Sequence, residues 1–328
     1  MENIFVNGAI PDSKDDRDYI FETSLGAGQV MTDEEWKQGY DIETILGYKL
    51  KPKNQWTSYS CVAQANSMYK AVLDALDNKS YDEESAKALY SQISIGYAQG
   101  SYLRDGAKKL VDWGELLESR LKSYRDNGTT DETWMRDKDW ITEVLNTEAS
   151  KLKAKEYFLV TGIGIDYFAR AIKDGHGCVI GVTGNNNGTW LSTYPTPPTE
   201  ATPQGQLWGH AIYAGRFRII NGKKEIGILN SWGNIGEYGW QWLGEEWFAN
   251  EGKWIFNPWV VINKTKNKPM STSKILKDKN SAAVGIWMPA ISEDVLKSYC
   301  LNAGKEVPMI DGHIDWDKIV EGNFEYIN

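Results

Sequence analysis

The spacing of apolar residues changes character about halfway along the chain. From Ser60, apolar side chains recur every three or four residues, the period of one helix face, and Asn78 would end this helix. That face consists of Val62, Ala65, Met68, Tyr69, Val72 and Leu76. Patterns of the same period predict two further helices over residues 85–95 and 105–121, and a weaker pattern predicts a fourth over 140–152. The first half is therefore predicted to be mainly helical.

The second half is predicted to be mainly strands. Short runs of β-branched and aromatic residues are bounded there by Gly and Asn, and they begin at Tyr157, Gly177, His210, Lys224 and Trp254. Residues 185–206 form a long loop rich in Asn, Thr and Pro, and loops of this length are often functional. Helices followed by strands predict an α+β protein of two packed halves.

The two ends differ from the middle. Residues 1–50 are polar and acid-rich, with a short helix predicted after Thr32 as its N-cap. Residues 264–279 carry six lysines and are interpreted as a basic linker, and a short helix from Ser292 to Gly304 is predicted in the tail. The pattern therefore predicts an N-terminal extension (1–50), a main domain (51–262) and a basic linker with a small tail (263–328). The tail is a candidate binding segment for a partner.

Composition excludes several classes of function. The 328 residues include 36 Lys and Arg against 45 Asp and Glu, a net charge of −9, which argues against broad binding to nucleic acid. With 41% hydrophobic residues the chain has material for a core, and no run of about 18 apolar residues predicts a membrane span. The first residues lack a basic region followed by an apolar one, so we expect no secretory signal.

Cysteine and histidine are scarce. The cysteines are Cys61, Cys178 and Cys300, an odd number that does not form a disulfide framework. The histidines are His176, His210 and His313. They show no metal-ligand spacing and the chain has no CxxC pair, so we expect neither a metal nor a cofactor. A cysteine enzyme with a histidine base would have only three candidates for that base.

Three short segments carry candidate chemistry. Cys61 opens the first strong helix behind Ser60, a plausible N-cap, and the positive end of a helix favours a thiolate. Gly209-His210-Ala211 begins an apolar strand. Asn230-Ser231-Trp232-Gly233 follows another strand and runs into Gly236, Gly239 and Trp240. Taken singly, each segment is more often structural than functional.

Together and in this order, the three segments resemble the papain-like cysteine peptidases. That family carries Gln six residues before its nucleophilic Cys, as Gln55 precedes Cys61, and the His and Asn segments follow far downstream. The resemblance covers roughly residues 10 to 262. It implies a two-lobe fold, with a helical lobe over about 51–155, a β-barrel-like lobe over about 156–262 and an active-site cleft between them.

The resemblance also implies a role for each matched residue. Cys61 would be the nucleophile, His210 the acid and base, and Asn230 the residue that orients the imidazole. Gln55 and the backbone N–H of Cys61 would form the oxyanion hole. Trp232 would shield the His–Asn hydrogen bond from water, and it is also assigned to substrate binding with Gly209, Gly100 and Ser101.

The sequence departs from the family pattern in places. Tyr59 and Val62 replace the small residue and the aromatic residue that usually flank the catalytic Ser-Cys pair. Only about 50 residues precede Gln55, too few for a separate helical pro-domain, so the protein would be active as made or held in check by the 185–206 loop.

The resulting hypothesis is a cysteine-type peptidase acting on peptide or protein substrates, with no nucleic-acid or membrane partner. It would be cytoplasmic or virion-associated. Two alternatives stay open at this point. One is a peptidoglycan peptide hydrolase, for which the clustered tryptophans would offer a stacking surface for glycans. The other is a catalytically silent papain-like scaffold or virion structural protein.

Overall fold

The computed structural model describes residues 8–24, 30–249 and 253–263, together with short strand backbones beyond residue 270. The chain divides into two compact units, one formed by residues 1–23 and 27–265 and the other by residues 24–26 and 266–328. All the chemistry predicted from the sequence lies in the first unit.

Helices dominate the first half of this unit, as predicted. They are α1 (Phe21–Ser24), α2 (Asp33–Gln38), α3 (Ile42–Leu46), α4 (Cys61–Asn78), α5 (Ala86–Ile93), α6 (Leu103–Asp112), α7 (Glu132–Arg136) and α8 (Glu143–Ser150). Two short strands lie among them, β1 (Ala9–Ile10) and β3 (Ser101–Tyr102), and they pair in parallel. None of the described helices is both long enough and apolar enough to cross a bilayer.

Helix α4 is the centre of the helical half. Its predicted bounds are confirmed, and most of its side chains are buried, because it packs on other helices and on the sheet of the second half. The Tyr69 hydroxyl donates to the carbonyls of Gly175 (2.6 Å) and Val261 (3.0 Å), which belong to that second half. Burial raises the pKa of Tyr69, so its hydroxyl keeps the proton that these bonds need.

Other predicted helices have corrected bounds. Thr32 caps α2 and exchanges bonds with Glu35 in a capping box, as its position suggested. The helix predicted over 105–121 instead spans Leu103–Asp112. Gly114, two residues beyond its end, adopts φ +104°, a left-handed conformation that ends a helix. The helix predicted over 140–152 is shortened to Glu143–Ser150.

The second half is built on one antiparallel sheet. Its strands are β2 (Tyr40–Asp41), β4 (Glu156–Leu159), β5 (Cys178–Asn185), β6 (Leu207–Ile220), β7 (Lys223–Leu229), β8 (Trp240–Gly244) and β9 (Ile255–Ile262). The strand order is β4-β9-β5-β6-β7-β8, with β2 added against β6. The outer strands β4 and β8 do not pair with each other, so among the described strands the β-barrel-like lobe is an open sheet and not a closed barrel.

The sheet determines where the predicted histidine and asparagine lie. In the β5–β6 ladder His210 is opposite Val182, and in the β6–β7 ladder Tyr213 is opposite Leu229, the residue before Asn230. Helix α9 (Ile165–Gly175), which the sequence analysis missed, packs against this sheet. The strands predicted from the sequence are present in the structure, with bounds shifted by a few residues.

The second unit is described only by its strands. Strands β10 (Lys274–Asp278), β11 (Val284–Trp287) and β14 (Phe324–Ile327) form an antiparallel sheet in the order β11-β10-β14. Strands β12 (Met309–Ile310) and β13 (His313–Ile314) form a separate pair. Strand β10 lies inside the segment interpreted as a basic linker. The tail helix predicted from Ser292 lies outside the described residues, as does Cys300.

Candidate active site

Cys61 is the first residue of α4, as predicted, and it is fully buried. The backbone N–H groups of Cys61, Val62 and Ala211 act on the sulfur, and Ala211 is the residue after His210. Ser60 stands at the N-cap position but its side chain makes no capping bond, which corrects the predicted cap. Its hydroxyl instead bonds the Ser58 hydroxyl at 2.7 Å.

Gln55 lies in the turn that leads to Cys61 and is held from two sides. Its Nε2 donates to the Ser58 carbonyl at 3.0 Å, and its Oε1 accepts from the Ser231 hydroxyl at 2.8 Å. Its backbone N–H also donates to the Ser231 carbonyl at 2.8 Å. These bonds fix the Gln55 amide in the loop that leads to Cys61 and join that loop to the segment around Asn230.

A chain of hydrogen bonds assigns the tautomer of His210. Gln241 Nε2 donates to the carbonyls of Trp190 and Ser192, so Gln241 Oε1 accepts a bond from Asn230 Nδ2 at 2.7 Å. Asn230 Oδ1 therefore faces His210 Nε2, at 2.9 Å, and Nε2 must be the donor. In the neutral ring this leaves the lone pair on Nδ1.

Nδ1 of His210 is buried and has no hydrogen-bond partner among the described residues. A buried polar atom without a partner is costly and is frequently functional. Gln241, which fixes the orientation of Asn230, was missed in the sequence analysis. Its only sequence signal was a glutamine between two tryptophans in an apolar strand.

Trp232 lies flat on the imidazole of His210. The ring centroids are 4.4 Å apart and the planes differ by 18°. Trp190 and Trp208 pack edge-on against Trp232, so the hydrogen bond between His210 and Asn230 lies behind aromatic rings. The clustered tryptophans nearest the site therefore serve packing.

Residues 8–11 lie in the cleft over Cys61, and we call them the cleft segment. Gly8 donates its N–H to the Gly209 carbonyl (3.2 Å) and accepts from the Ser101 N–H (2.9 Å). A Cβ on Gly8 would stand 2.3 Å from the Tyr59 carbonyl oxygen and 2.8 Å from Cys61 Sγ, so only glycine fits there. The sequence offered no signal for this contact.

The cleft segment is anchored just beyond its end by Asp12. The Asp12 carboxylate accepts from the Arg104 backbone N–H (3.0 Å) and from Trp259 Nε1 (2.8 Å), while the Asp12 N–H donates to Asn257 Oδ1 (2.8 Å). Arg104 also pairs with Asp18 at 2.6 Å. These bonds tie residues 12–18 to the body of the protein.

A cavity of about 730 Å³ adjoins the cleft segment. Its walls include Tyr59, Gln99 and Phe256, and Thr199 to Gln204 of the long loop lie at its edge. Trp190 of the same loop is fully buried. Gly8 of the cleft segment thus covers the sulfur, whereas the 185–206 loop forms a wall of the cavity beside that segment.

While the site is covered, burial favours the uncharged forms of Cys61 and His210. Burial raises the pKa of Cys61 to about 12, although three backbone N–H groups act in the opposite direction. Burial lowers the pKa of His210 to about 4, with the Asn230 bond opposing this change. The expected preference for thiolate at the helix terminus is therefore outweighed while the sulfur is covered.

The structure brings the residues singled out in the sequence to one place. His210 contacts Asn230 and Trp232, and Gln55 bonds Ser231, the residue after Asn230. Cys61 lies beside Ala211, the residue after His210, with no hydrogen bond between its sulfur and His210 Nδ1. Gly100, Ser101 and Gly209 lie along the cleft segment. Cys178 is buried in β5 and His176 caps α9. No group of three or more potential metal ligands occurs among the described residues.

Solved structures share this fold. Xylellain, a cysteine protease from Xylella fastidiosa, aligns over 79% of this chain and 96% of its own, with 22% identity and a TM-score of 0.64. The proform of Amb a 11, a ragweed pollen cysteine protease, aligns over 73% of this chain and 68% of its own, with 16% identity and a TM-score of 0.54. No protein-family model and no curated protein sequence matches the chain.

A third similar structure is proCathepsin B S9 from Trypanosoma congolense. It aligns over 79% of this chain and 87% of its own, with 12% identity and a TM-score of 0.57. These likenesses establish a papain-like, two-lobe α+β fold and confirm the fold predicted from the three motifs.

Proposed function

We propose that this chain of papain-like fold is a cysteine-type peptidase whose substrates are peptides or proteins. The observation that carries the proposal is the assigned tautomer of His210. Gln241 and Asn230 direct the proton to Nε2, so the Nδ1 lone pair is available to take the proton of Cys61. A second observation supports it, since an extended main chain already lies across Cys61 and bonds both walls of the cleft.

The proposed reaction begins with proton transfer from Cys61 Sγ to His210 Nδ1. The sulfur attacks the carbonyl carbon of the scissile peptide bond, and the C–N bond then breaks as Nδ1–H protonates the leaving amine. Water, deprotonated by the same nitrogen, hydrolyses the thioester and restores the thiol. Asn230 keeps the imidazole oriented throughout, and Trp232 excludes water from their bond.

The oxyanion of the tetrahedral intermediate needs donors that are already in place. We assign this role to the Gln55 side-chain amide and the backbone N–H of Cys61, since Gln55 is fully buried and held by Ser58 and Ser231. Gly100, Ser101 and Gly209 would bind the substrate main chain, because they line the path that the cleft segment takes.

The described arrangement is a covered form of the site. Gly8 lies on the sulfur, and the pKa values of Cys61 and His210 favour thiol and neutral imidazole. A thiolate–imidazolium pair would form once the cleft segment leaves and water enters. We therefore propose that the full chain is latent and that displacement of residues 8–11 switches it on.

The test uses the full chain carrying Gly8→Val, whose side chain does not fit on Cys61 Sγ. A peptidyl epoxide is added, and intact mass with peptide mapping identifies the labelled thiol. Cys61 should be labelled much faster than Cys178 or Cys300, and labelled protein should lose activity on casein. Equal labelling rates for the three cysteines would refute the proposal that the Cys61 thiol is activated.

Isolated cell-wall sacculi tested in parallel separate the proposal from its rivals. Cleavage of sacculi without casein would favour a peptidoglycan hydrolase. If folded Gly8→Val protein with an accessible Cys61 cleaves neither casein nor sacculi, a catalytically silent scaffold is favoured. Both results contradict the proposed peptidase.

In full-length Cys61→Ala protein, where no thiolate–imidazolium pair can form on opening and His210 titrates alone, acid is expected to open the covered site. His210 has a pKa of about 4 when covered and an ordinary value of 6.5 when exposed, so the open form binds more protons between these values. Lowering the pH from 7 to 5 should therefore weaken coverage by on the order of 2 kcal/mol. Burial raises the pKa of Asp12, so protonation of its carboxyl acts in the opposite direction.

Hydrogen exchange of the backbone amides of Gly8, Ala9 and Ile10, corrected for the intrinsic effect of pH, measures this opening. His210→Asn removes the titrating ring and should flatten the profile between pH 5 and 7. An unchanged profile in that variant would show that another group controls the opening.

A further inference from the structure

Glu132 bridges two backbone segments of the cleft from behind. It is the first residue of α7 and only 4% exposed. Its Oε2 accepts from the Tyr59 N–H at 2.9 Å, and its Oε1 accepts from the Ala98 N–H at 3.0 Å. We call this pair of bonds the Glu132 bridge. It was not found in the sequence analysis, because a single glutamate in a polar stretch gives no signal.

Both bridged residues adjoin the proposed chemistry. Tyr59 is two residues before Cys61, and Ala98 is two residues before Gly100. Tyr59 and Ala98 also line the cavity beside the cleft segment. The bridge therefore joins the loop that carries the nucleophile to the turn that lies under the substrate main chain.

The turn around Ala98 is strained and needs such support. Ala98 has φ +55°, a left-handed conformation that is unfavourable for alanine. The turn closes through the bond from the Ile95 N–H to the Gly100 carbonyl at 3.1 Å. Backbone strain of this kind persists where surrounding bonds hold it, and it concentrates at functional sites.

The carboxylate is itself held in place. The Tyr90 hydroxyl donates to both of its oxygens, at 2.9 and 3.2 Å, and burial together with the Glu132 charge raises the pKa of Tyr90. Arg136 Nε lies 4.0 Å from Oε1 and also donates to Ser94. Asp131 caps α7 by accepting from the Trp134 N–H. The bridge thus rests on a fixed helix end.

We propose that Glu132 is a positioning residue that sets the spacing and orientation of the two cleft walls. Two equivalent oxygens let one side chain accept from both walls at once, which a neutral amide cannot do. Without the bridge, the turn before Gly100 would relax away from the nucleophile loop, and substrate main chain would bind less well. This inference rests on the proposed peptidase function.

The kinetic test compares Glu132→Gln with the parent in full-length Gly8→Val protein. Glutamine has the same shape, but its NH₂ would face one of the two backbone N–H groups and cancel that bond. Since a misplacement of about 1 Å can cost on the order of 100-fold, losing one of two bonds should raise KM for peptide substrates about tenfold. The kcat should change less than about threefold, when the concentration of active enzyme is taken from titration of Cys61 with the peptidyl epoxide.

Tyr90→Phe is the matched control. It removes hydrogen bonds from the same carboxylate and destabilises the same region, yet both carboxylate oxygens remain as acceptors for the Tyr59 and Ala98 N–H groups. We expect it to lower Tm about as much as Glu132→Gln while KM stays at the parent value. A KM that rises equally in both variants, or in neither, overturns the proposal.

A readout without catalysis separates this inference from the proposed function. In otherwise wild-type full-length protein, Glu132→Gln should speed amide exchange about tenfold at Tyr59 or Ala98, and Tyr90→Phe should not. If Glu132→Gln does not fold, Glu132→Asp is measured instead, since its shorter side chain cannot reach both amides. Unchanged exchange at both residues refutes the bridge whether or not the chain cleaves peptides.

Discussion

Replacing Gly8 with valine is expected to raise peptidase activity of the full chain about 100-fold. The Gly8 main chain bonds both cleft walls, and even a single Cβ there would overlap the Tyr59 carbonyl and approach Cys61 Sγ. Valine forces the cleft segment off the sulfur, so water and substrate reach Cys61 and His210. A factor of 100 corresponds to about 2.7 kcal/mol of lost coverage, comparable to a few lost hydrogen bonds.

The measurement is kcat/KM on a fluorogenic peptide, with the alkylation rate of Cys61 followed in parallel. Gly205→Val is the matched control, because a Cβ at Gly205 meets no atom within 4 Å and Gly205 lies outside the cleft segment. Gly205→Val should leave kcat/KM and the alkylation rate of Cys61 at their wild-type values. If Gly8→Val protein is folded and both of its rates equal those of wild type, residues 8–11 do not restrain the enzyme.

Replacing Cys61 with alanine in that uncovered chain is expected to lower kcat/KM by at least about 10⁴-fold. In the proposed reaction the thiolate forms the covalent intermediate, and Cys61 places its thiol at the N-terminus of α4 beside the strand of His210. Stability should change little, since Ala is close in volume to Cys and Gly8→Val has already displaced the segment that covers the sulfur. Casein cleavage and a fluorogenic peptide both report the loss.

Cys178→Ala provides the comparison for that loss. Cys178 is equally buried, but it lies in β5 opposite Ala214 and away from His210. It should reduce stability by the amount usual for a small core cavity and leave kcat/KM of the folded protein unchanged. Residual activity above about 1% in Cys61→Ala protein would mean that another group is the nucleophile or that a contaminant cleaves the substrate.

The sequence predicted those features that depend on local pattern. The apolar face from Val62 gave the bounds of α4, and the position of Cys61 at its first turn followed directly. The long strands around His210 and before Asn230 were visible as apolar runs between glycines. The order of the three motifs was enough to predict the fold, because family motifs keep their spacing along the chain.

Other predictions from the sequence were wrong or incomplete where tertiary contacts outweigh the local pattern. Helix α9 was missed although Ile165, Phe168, Ala169 and Ile172 have helical spacing, because the surrounding segments were read as strands. The helix predicted to continue to Leu121 ends at Asp112, where a left-handed glycine follows. The sequence also did not indicate that the sheet of the β-barrel-like lobe stays open, since pairing of the outer strands is a long-range property.

The sequence by itself determined the identities and chain order of Cys61, His210 and Asn230, and the helix and strands that carry them, because periodicity and motif spacing are local. Only the tertiary structure decided that Gly8 covers the sulfur, that Gln241 assigns the proton of His210, and that Glu132 joins Tyr59 to Ala98. Each of these joins residues that are not neighbours in the chain. Burial likewise set the pKa values of the site, because desolvation depends on what folds over a group and not on its sequence neighbours.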